Sequence, residues 1–388
     1  MIESAPWLTV IPPVVAIVLA IVTKKVMISL GAGVLVAALL IAEFDPLRTL
    51  ALVWESFAVL FWEDGALNTW YIYILLFIVL LGVIAAFILM SGGTQAFADW
   101  AVKRIRTRRG GQILPAILGI VIFIDDYFNA LAVGQISRPV TDQHRISRAK
   151  LAYIVDSTSA PIAVLAPFSS WGAYIIGILA PIVAASTLSI SSVEAFLGAA
   201  ASNYYAIAAA LLVWLVIVFR ADFGAMRREE RRALVEGRPY ADGEVIPGQL
   251  TDNLPVHRPG AKRAIIVPFA ALVVGVFAGI VWTGYSASGL WAPVDILAST
   301  DTSLALIYGG ILGLACAIYY YVRYTTDNPR FGWSSFGQGW LGGLKAMSPA
   351  IGILILAWML GGLIDMLGTG AYLGELVEAS DVPPAWLI

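Results

Sequence analysis

The chain has 388 residues, of which 60% are hydrophobic and only 13% are charged. Soluble domains carry about 25% charged residues, so the composition excludes an ordinary soluble protein and predicts an all-α polytopic protein in a lipid bilayer. The net charge of −2 offers no basic field for nucleic acid, and the single Cys316 excludes an intrachain disulfide or a cysteine metal cluster.

A membrane-spanning helix needs about 20 mostly apolar residues. Eight stretches are candidates, of which the fourth contains a break: 7–23, 26–42, 70–90, 151–183, 203–219, 264–283, 302–321 and 346–366. Two amphipathic stretches, 47–62 and 94–106, are expected to lie along the membrane interface. We therefore predict N-terminal helices over 1–69, a first repeat over 70–220, a polar cytoplasmic loop over 221–263 and a second repeat over 264–388.

Residues 112–137 predict a re-entrant hairpin rather than a single span, because basic residues flank them on both sides. The flanking cations are Lys103, Arg104, Arg106, Arg108 and Arg109 before it, and Arg138, Arg145, Arg148 and Lys150 after it. The positive-inside rule assigns both flanks to the cytoplasm, whereas a single span would place one of them outside. With this hairpin the N-terminus lies outside, and every Lys and Arg except Arg48 lies inside.

An inverted repeat is expected from two similar breaks. Residues 70–90 lead to SGGTQAFADW and residues 346–366 lead to LGTGAYLGEL, and the predicted directions of the two long helices are opposite. Inverted repeats with broken helices are an architecture of secondary transporters. The first repeat continues into the hairpin, whereas the second stops at Ile388, so we expect a chain truncated at its C-terminus.

Three carboxylates lie within apolar stretches. Asp125 and Asp126 belong to GIVIFIDDYFNALAVG, and Asp156 belongs to AYIVDSTSAPIAVLAP. An ionised side chain at membrane depth costs roughly 2.5–3.5 kcal/mol on insertion scales, so such residues usually face a cavity and bind something there. We predict that these three bind Na⁺ or protons in competition.

Neutral oxygens near the carboxylates complete the predicted site. Asn129, Ser157 and Thr158 would supply them, and Pro161 is expected to interrupt the helix and free carbonyl oxygens for a hard cation. Further residues are expected along the ion pathway: Ser159, Ser169, Ser170, Trp171, Asp365 and Thr369. Three alternatives stay open: an ion pair of one of the three carboxylates, above all Asp156, with Lys150 or Arg148; helix capping by Ser169 and Ser170; and an interfacial place for Asp365.

The residues 123–174, FIDDYFNALAVGQISRPVTDQHRISRAKLAYIVDSTSAPIAVLAPFSSWGAY, closely resemble the NhaC-type sodium/proton antiporter family of the ion transporter superfamily. SGGTQAFADW and LAWMLGGLIDMLGTGAYL resemble it too. The resemblance implies exchange of sodium for protons across a bacterial inner membrane, without a cofactor. By motif position it implies ion binding by Asp125, Asp126, Asn129, Asp156, Ser157 and Thr158. A further Gly-Thr-Ser-Trp-Gly segment that is usual in the family is not found here.

Other classes of function compete with this one. A sodium-coupled carrier of an organic acid or amino acid would suit the same fold, because helix N-termini at the breaks bind anions. An intramembrane aspartyl protease is disfavoured, since the chain has no Gly-x-Gly-Asp motif, and a channel would not need titrating acids. We therefore expect no enzyme activity, while the residues leave a homodimer open.

Overall fold

A computed structural model describes residues 5–63, 65–123, 126–167, 169, 171–172, 175–176, 179, 183, 190–240, 254–328 and 330–379. After a short 3₁₀ helix at Pro6–Val10, the helices are α1 Ile11–Thr23, α2 Val26–Ile41, α3 Pro46–Ala58, α4 Thr69–Met90, α5 Gly93–Arg104, α6 Arg108–Val121, α7 Asp126–Gln143, α8 Arg148–Leu165, α9 Ser192–Ala201, α10 Tyr204–Phe219, α11 Gly224–Val235, α12 Arg263–Ser288, α13 Pro293–Ala298, α14 Thr302–Thr325, α15 Trp333–Met366 and α16 Thr369–Glu378. The strands β1 Trp62–Glu63 and β2 Ala66–Leu67 form a small antiparallel ribbon.

The predicted all-α membrane class is confirmed. Five helices are long and apolar enough to cross a bilayer among the residues that the structure describes: Pro6–Thr23, Thr69–Met90, Arg263–Ser288, Thr302–Thr325 and Trp333–Met366. The helices α9 and α10 together would make a sixth span, bent by 52°. The predicted span 26–42 corresponds to the shorter α2, and the predicted span 346–366 is the last part of the 34-residue α15.

The chain divides into two compact units, Met1–Leu75 with Met347–Ile388 and Leu76–Ala346. In the first unit, α1 and α2 pack together at Gly33, where a Cβ atom would lie 3.0 Å from the Cβ of Ala16. Ala37 and Ala38 are fully buried in the same hydrophobic core as Leu363. Small residues let these helices approach closely, as is usual in membrane bundles.

In the second unit, α12 and α14 pack closely at two glycines of α12. A Cβ atom at Gly275 would lie 2.8 Å from the Cα of Gly309, and one at Gly279 would lie 2.8 Å from the Cα of Ala305. Backbone therefore meets backbone along this pair, which is how glycine acts at tight helix crossings in lipid.

The two predicted Gly-Thr breaks have the same local structure. Gly92 lies between α4 and α5 with φ of 75°, and Gly368 lies between α15 and α16 with φ of 72°. A left-handed backbone of this kind suits glycine because it has no Cβ. The similarity supports a repeated helix–break–helix element, whereas the opposite orientation of the two copies stays a prediction.

The helices α6 and α7 pack against each other as a helical hairpin over 108–143, whereas its re-entry into the membrane over 112–137 stays a prediction. At its base, a Cβ atom at Gly111 would lie 2.9 Å from Cδ1 of Ile146, and near its turn the amide of Asn129 contacts Gly119. The helix α6 has 14 residues and is therefore about 21 Å long, shorter than the hydrocarbon core of about 30 Å. A segment that enters, turns and returns fits these lengths.

The break in the predicted stretch 151–183 is not at Pro161. The helix α8 continues through Pro161 and ends at Leu165, with Ala166 in an extended conformation. A proline is tolerated inside such a helix when neighbouring groups satisfy the freed backbone. Most of the stretch after Trp171 lies outside the described residues.

Candidate functional site

Asn129 joins the two helices of the hairpin near its turn. Its side chain is fully buried, and Nδ2 donates a hydrogen bond of 2.6 Å to the carbonyl oxygen of Gly119. The helix α6 ends at Val121, so the carbonyl of Gly119 belongs to the last turn, where carbonyls have no donor within the helix. The amide of Asn129 supplies that donor.

Gly119 is also where α8 meets the hairpin. A Cβ atom at Gly119 would overlap Oγ1 of Thr158 and lie 2.7 Å from its Cβ. Thr158 is fully buried, and its hydroxyl donates to the carbonyl oxygen of Ile154 at 2.7 Å. The two predicted site residues Asn129 and Thr158 therefore come together around one glycine.

The amide oxygen of Asn129 is the most informative atom of this junction. Because Nδ2 must donate to a carbonyl, Oδ1 is fixed as the acceptor. Oδ1 is buried and has no hydrogen-bond partner among the described residues. A buried acceptor without a partner costs about 1–3 kcal/mol, which makes it a ready ligand for a cation.

Asp126 is the first residue of α7 and is half-buried. A carboxylate is stabilised at a helix N-terminus by the backbone N–H groups and the helix dipole. Residues three apart share one face of a helix, so Asp126 lies on the same face as Asn129. The neighbouring Asp125 lies outside the described residues.

The structure does not place Asp156 on the Gly119 side of α8. Asp156 is exposed, and it precedes the buried Thr158 by two residues, a spacing that does not share a helix face. Its backbone carbonyl accepts the hydroxyl of the buried Ser159 at 3.2 Å. The predicted cluster is thus divided between two faces of α8.

The backbone carbonyl of Ser157 is free to accept a hydrogen bond or contact a cation. Pro161 lies four residues later and has no N–H, so the carbonyl of Ser157 lacks its usual helical donor. The prolines Pro115 in α6 and Pro139 in α7 free one carbonyl each in the same way. Of these, the carbonyl freed in α8 belongs to the residue next to Thr158, whereas the one freed in α6 is that of Gly111, at the base of the hairpin.

The two cations named above as alternative partners of Asp156 bind other acids. The ammonium of Lys150 pairs with Asp222, and Nη2 of Arg148 lies 2.7 Å from Oδ2 of Asp142. Burial raises the pKa of the Asp142 carboxyl, while the guanidinium of Arg148 acts in the opposite direction.

The proposed pathway residues lie in different places. Ser169 is a capping residue: its buried hydroxyl donates to the carbonyl oxygen of Ala166 at 2.9 Å and accepts from the N–H of Gly172 at 2.8 Å. Trp171 is 39% exposed, and Ser170 lies outside the described residues.

Asp365 and Thr369 belong to the other compact unit. Thr369 donates a hydrogen bond of 2.9 Å to the carbonyl oxygen of Thr9 and is buried, while Asp365 is exposed.

No group of three or more His, Cys, Asp or Glu side chains forms a metal-ligand cluster among the described residues. The oxygens near the hairpin turn are instead the carboxylate of Asp126, the amide of Asn129, the hydroxyl of Thr158 and the carbonyl of Ser157, which are hard ligands of the kind that hard cations prefer. Sequence reasoning missed Gly119, although a glycine within an apolar helix is a known signal of close backbone approach.

One of the comparisons with known proteins names a family. The sequence profile described as the Na⁺/H⁺ antiporter family matches residues 162–388. An uncharacterized protein from Haemophilus influenzae is 34% identical over 383 residues, which is 97% of this chain and 70% of that protein. No solved structure matches the chain significantly.

Proposed function

Since the chain belongs to the Na⁺/H⁺ antiporter family and is a cation/proton antiporter, we propose that it exchanges sodium for protons at the turn of the α6–α7 hairpin. The single observation that carries this proposal is the buried Oδ1 of Asn129, which has no hydrogen-bond partner in the described part of the chain. It lies one helical turn from the carboxylate of Asp126, so a charged and a neutral oxygen share one face.

In the proposed mechanism, Asp126 carries the exchange. Its carboxylate binds either a proton or Na⁺, and the two compete because they need the same oxygens. Asp125, the residue before it, would add a second carboxylate. Asn129 and the hydroxyl of Thr158 would replace part of the hydration shell of Na⁺ without changing the charge, and the Ser157 carbonyl would do the same.

The close packing at Gly119 limits the directions from which a cation could reach the site. The junction of Gly119 and Thr158 leaves no room for even one methyl group between α6 and α8. Access to the site would therefore come from elsewhere around the hairpin turn, and alternating exposure to the two sides is the general transport cycle of such folds. Asp156, on the other face of α8, would be a second cation contact along the path.

We further propose the bacterial inner membrane as the location, with the N-terminus outside and the loop 221–263 in the cytoplasm. The distribution of Lys and Arg between the loops supports this orientation. A cysteine in place of the exposed Glu236, with Cys316→Ser removing the native thiol, should react with a membrane-impermeant thiol reagent only from the cytoplasmic side. Labelling from the outer side of intact cells would contradict the orientation.

The direct test of exchange is sodium-induced proton movement in proteoliposomes that contain the 388-residue chain. An inward sodium gradient should drive protons out and raise the internal pH, and a potassium gradient of equal size serves as the control. A response only in the presence of an added organic acid or amino acid would instead indicate sodium-coupled solute transport. No response to sodium under either condition contradicts the proposed function.

A further inference from the structure

Two acidic residues of the polar loop contact the N-terminal ends of α6 and α8. The side chain of Glu230, on α11, is only 4% exposed. One of its oxygens pairs with the guanidinium of Arg108, and the other accepts the backbone N–H of Ser147 at 2.8 Å. One buried carboxylate thus holds the first residue of α6 and the cap of α8.

The contact with Ser147 completes a helix cap from a distant part of the chain. Ser147 is the N-cap of α8, and its hydroxyl accepts the N–H of Lys150 at 3.1 Å. In a capping box the third helical residue supplies a carboxylate to the N–H of the cap. Here that position is Lys150, and the carboxylate comes from Glu230 instead.

Lys150 is held by the same loop. Its side chain is 1% exposed and pairs with Asp222, while the N–H of Arg148 donates to the carbonyl oxygen of Pro239 at 2.8 Å. A buried cation whose partner is removed is strongly destabilising, so the loop is an integral support of the first turn of α8.

The same two helices meet again at the candidate site. Gly119 lies eleven residues after Arg108, and Thr158 lies eleven residues after Ser147. Eleven helical residues span about 16 Å, so α6 and α8 are joined at two levels. Glu230 joins them at the polar end, and the contact between Gly119 and Thr158 joins them beside Asn129.

We propose that Glu230 is a positioning residue for cation binding, assisted by Asp222: it fixes the spacing of α6 and α8 and thereby the contact of Gly119 with Thr158. This inference rests on the proposed function, because the sodium affinity that Glu230 would influence is the affinity of the hairpin site. The polar loop 221–263 would therefore stabilise the geometry of the hairpin site, in addition to connecting the two predicted repeats.

The experiment compares Glu230→Gln with Glu229→Gln in the full chain. Glu229 is the adjacent acid and pairs within α11 with Arg232, so it is a matched control of equal charge change. Spin labels at cysteines replacing Ile117 on α6 and Ala152 on α8, both exposed, report the distance between the two helices, with Cys316→Ser removing the native thiol.

We expect Glu230→Gln to broaden the distribution of that distance and to raise the half-saturating sodium concentration roughly threefold to tenfold, a range typical of coupling through a distant residue. Glu229→Gln should change neither quantity. If Glu230→Gln does not fold, the double variant Arg108→Gln/Glu230→Gln replaces it, because it leaves no buried charge at this pair. We expect the double variant to show the same broader distance distribution and the same rise in the half-saturating sodium concentration.

A lower thermal stability of the Glu230 variant with an unchanged distance distribution and an unchanged half-saturating concentration would overturn the inference. The two measurements also separate it from the proposed function. If the unaltered chain shows no sodium-dependent proton movement, the proposed function fails, yet the distance measurement still decides whether Glu230 positions the two helices.

Discussion

Glycine lets helices approach closely in two regions of the second unit, but the atoms that contact the glycines differ between the two regions. Along α12 and α14, Gly275 and Gly279 face the Cα atoms of Gly309 and Ala305. At the junction of α6 and α8, Gly119 faces the hydroxyl of Thr158, and its carbonyl receives the amide of Asn129. The first region joins backbone to backbone, whereas the second leaves one buried acceptor open among the described residues.

This contrast separates packing from function. A close glycine contact alone indicates only that two backbones approach each other. A close contact among polar groups that are not all satisfied is costly, and in a membrane such groups usually mark an ion pathway. We therefore expect changes in the two regions to affect stability alike but cation binding very differently.

The largest effect is expected from Asp126→Asn. The substitution keeps the size of the side chain but removes the charge that we propose exchanges a proton for Na⁺, so exchange should fall to the level of protein-free liposomes. Sodium-driven pH change in proteoliposomes measures it. Asp301→Asn is the control, because Asp301 caps α14 by accepting the N–H of Leu304, and asparagine caps a helix equally well. Wild-type exchange by Asp126→Asn would remove this residue from the mechanism.

The second prediction tests the comparison directly, with Gly119→Ala against Gly279→Ala. Each adds a methyl group where none fits, and overpacking typically costs about 1–3 kcal/mol. Thermal unfolding in detergent should therefore show similar losses of stability.

Only Gly119→Ala should also weaken cation binding, because it displaces Thr158 from α6 next to Asn129. The half-saturating sodium concentration at a temperature where both variants are folded makes the distinction. An equal change in the Gly279 variant would show that the two regions do not differ in function.

The third prediction concerns the open acceptor, with Asn129→Ala against Asn203→Ala. Both asparagines hydrogen-bond backbone once: Asn129 donates to Gly119, and Asn203 accepts from the N–H of Ala206 at 3.0 Å. Loss of the cap at Asn203 should cost about 1 kcal/mol of stability and leave the sodium dependence unchanged.

Asn129→Ala should raise the half-saturating sodium concentration by about tenfold or more, since a hydrogen bond or ligand contact to a charged group contributes about 1.5–3 kcal/mol. Isothermal titration of the purified protein with sodium chloride, with choline chloride as the blank, measures the affinity independently of transport. Equal affinities of the two variants would show that Oδ1 of Asn129 is not a ligand.

The hairpin was predictable from the sequence because its signal is local charge. Basic residues on both flanks of 112–137 predict that the chain returns to the same side, and α6 and α7 are packed together in the structure, whereas the position of the pair in the membrane stays a prediction. The glycine breaks at Gly92 and Gly368 were predictable for a similar reason, since a left-handed backbone favours glycine whatever its surroundings.

Other features depend on contacts between distant parts of the chain. The break expected at Pro161 was wrong because proline only removes one donor, and the helix continues to Leu165. The contact between Gly119 and Thr158 and the cap that Glu230 provides to Ser147 join residues far apart in sequence. No local pattern reports such a contact, so the sequence identified candidate side chains without showing which of them meet.

The smallest effect is expected from Asp156→Asn, which tests whether the two faces of α8 differ. Asp156 is exposed and does not share the face of α8 on which Thr158 meets Gly119, so it would touch the ion less directly than Asp126. The half-saturating sodium concentration should therefore rise only about twofold to fivefold, while the maximal rate stays near that of the unaltered chain. Because Lys150 and Arg148 bind other acids, the loss of this charge leaves neither cation without its partner, and folding should be unaffected. If Asp156→Asn instead abolishes exchange completely, as we expect of Asp126→Asn, then Asp156 carries the exchanged proton. The close contact at Gly119 would in that case only pack the helices together, as the glycines between α12 and α14 do.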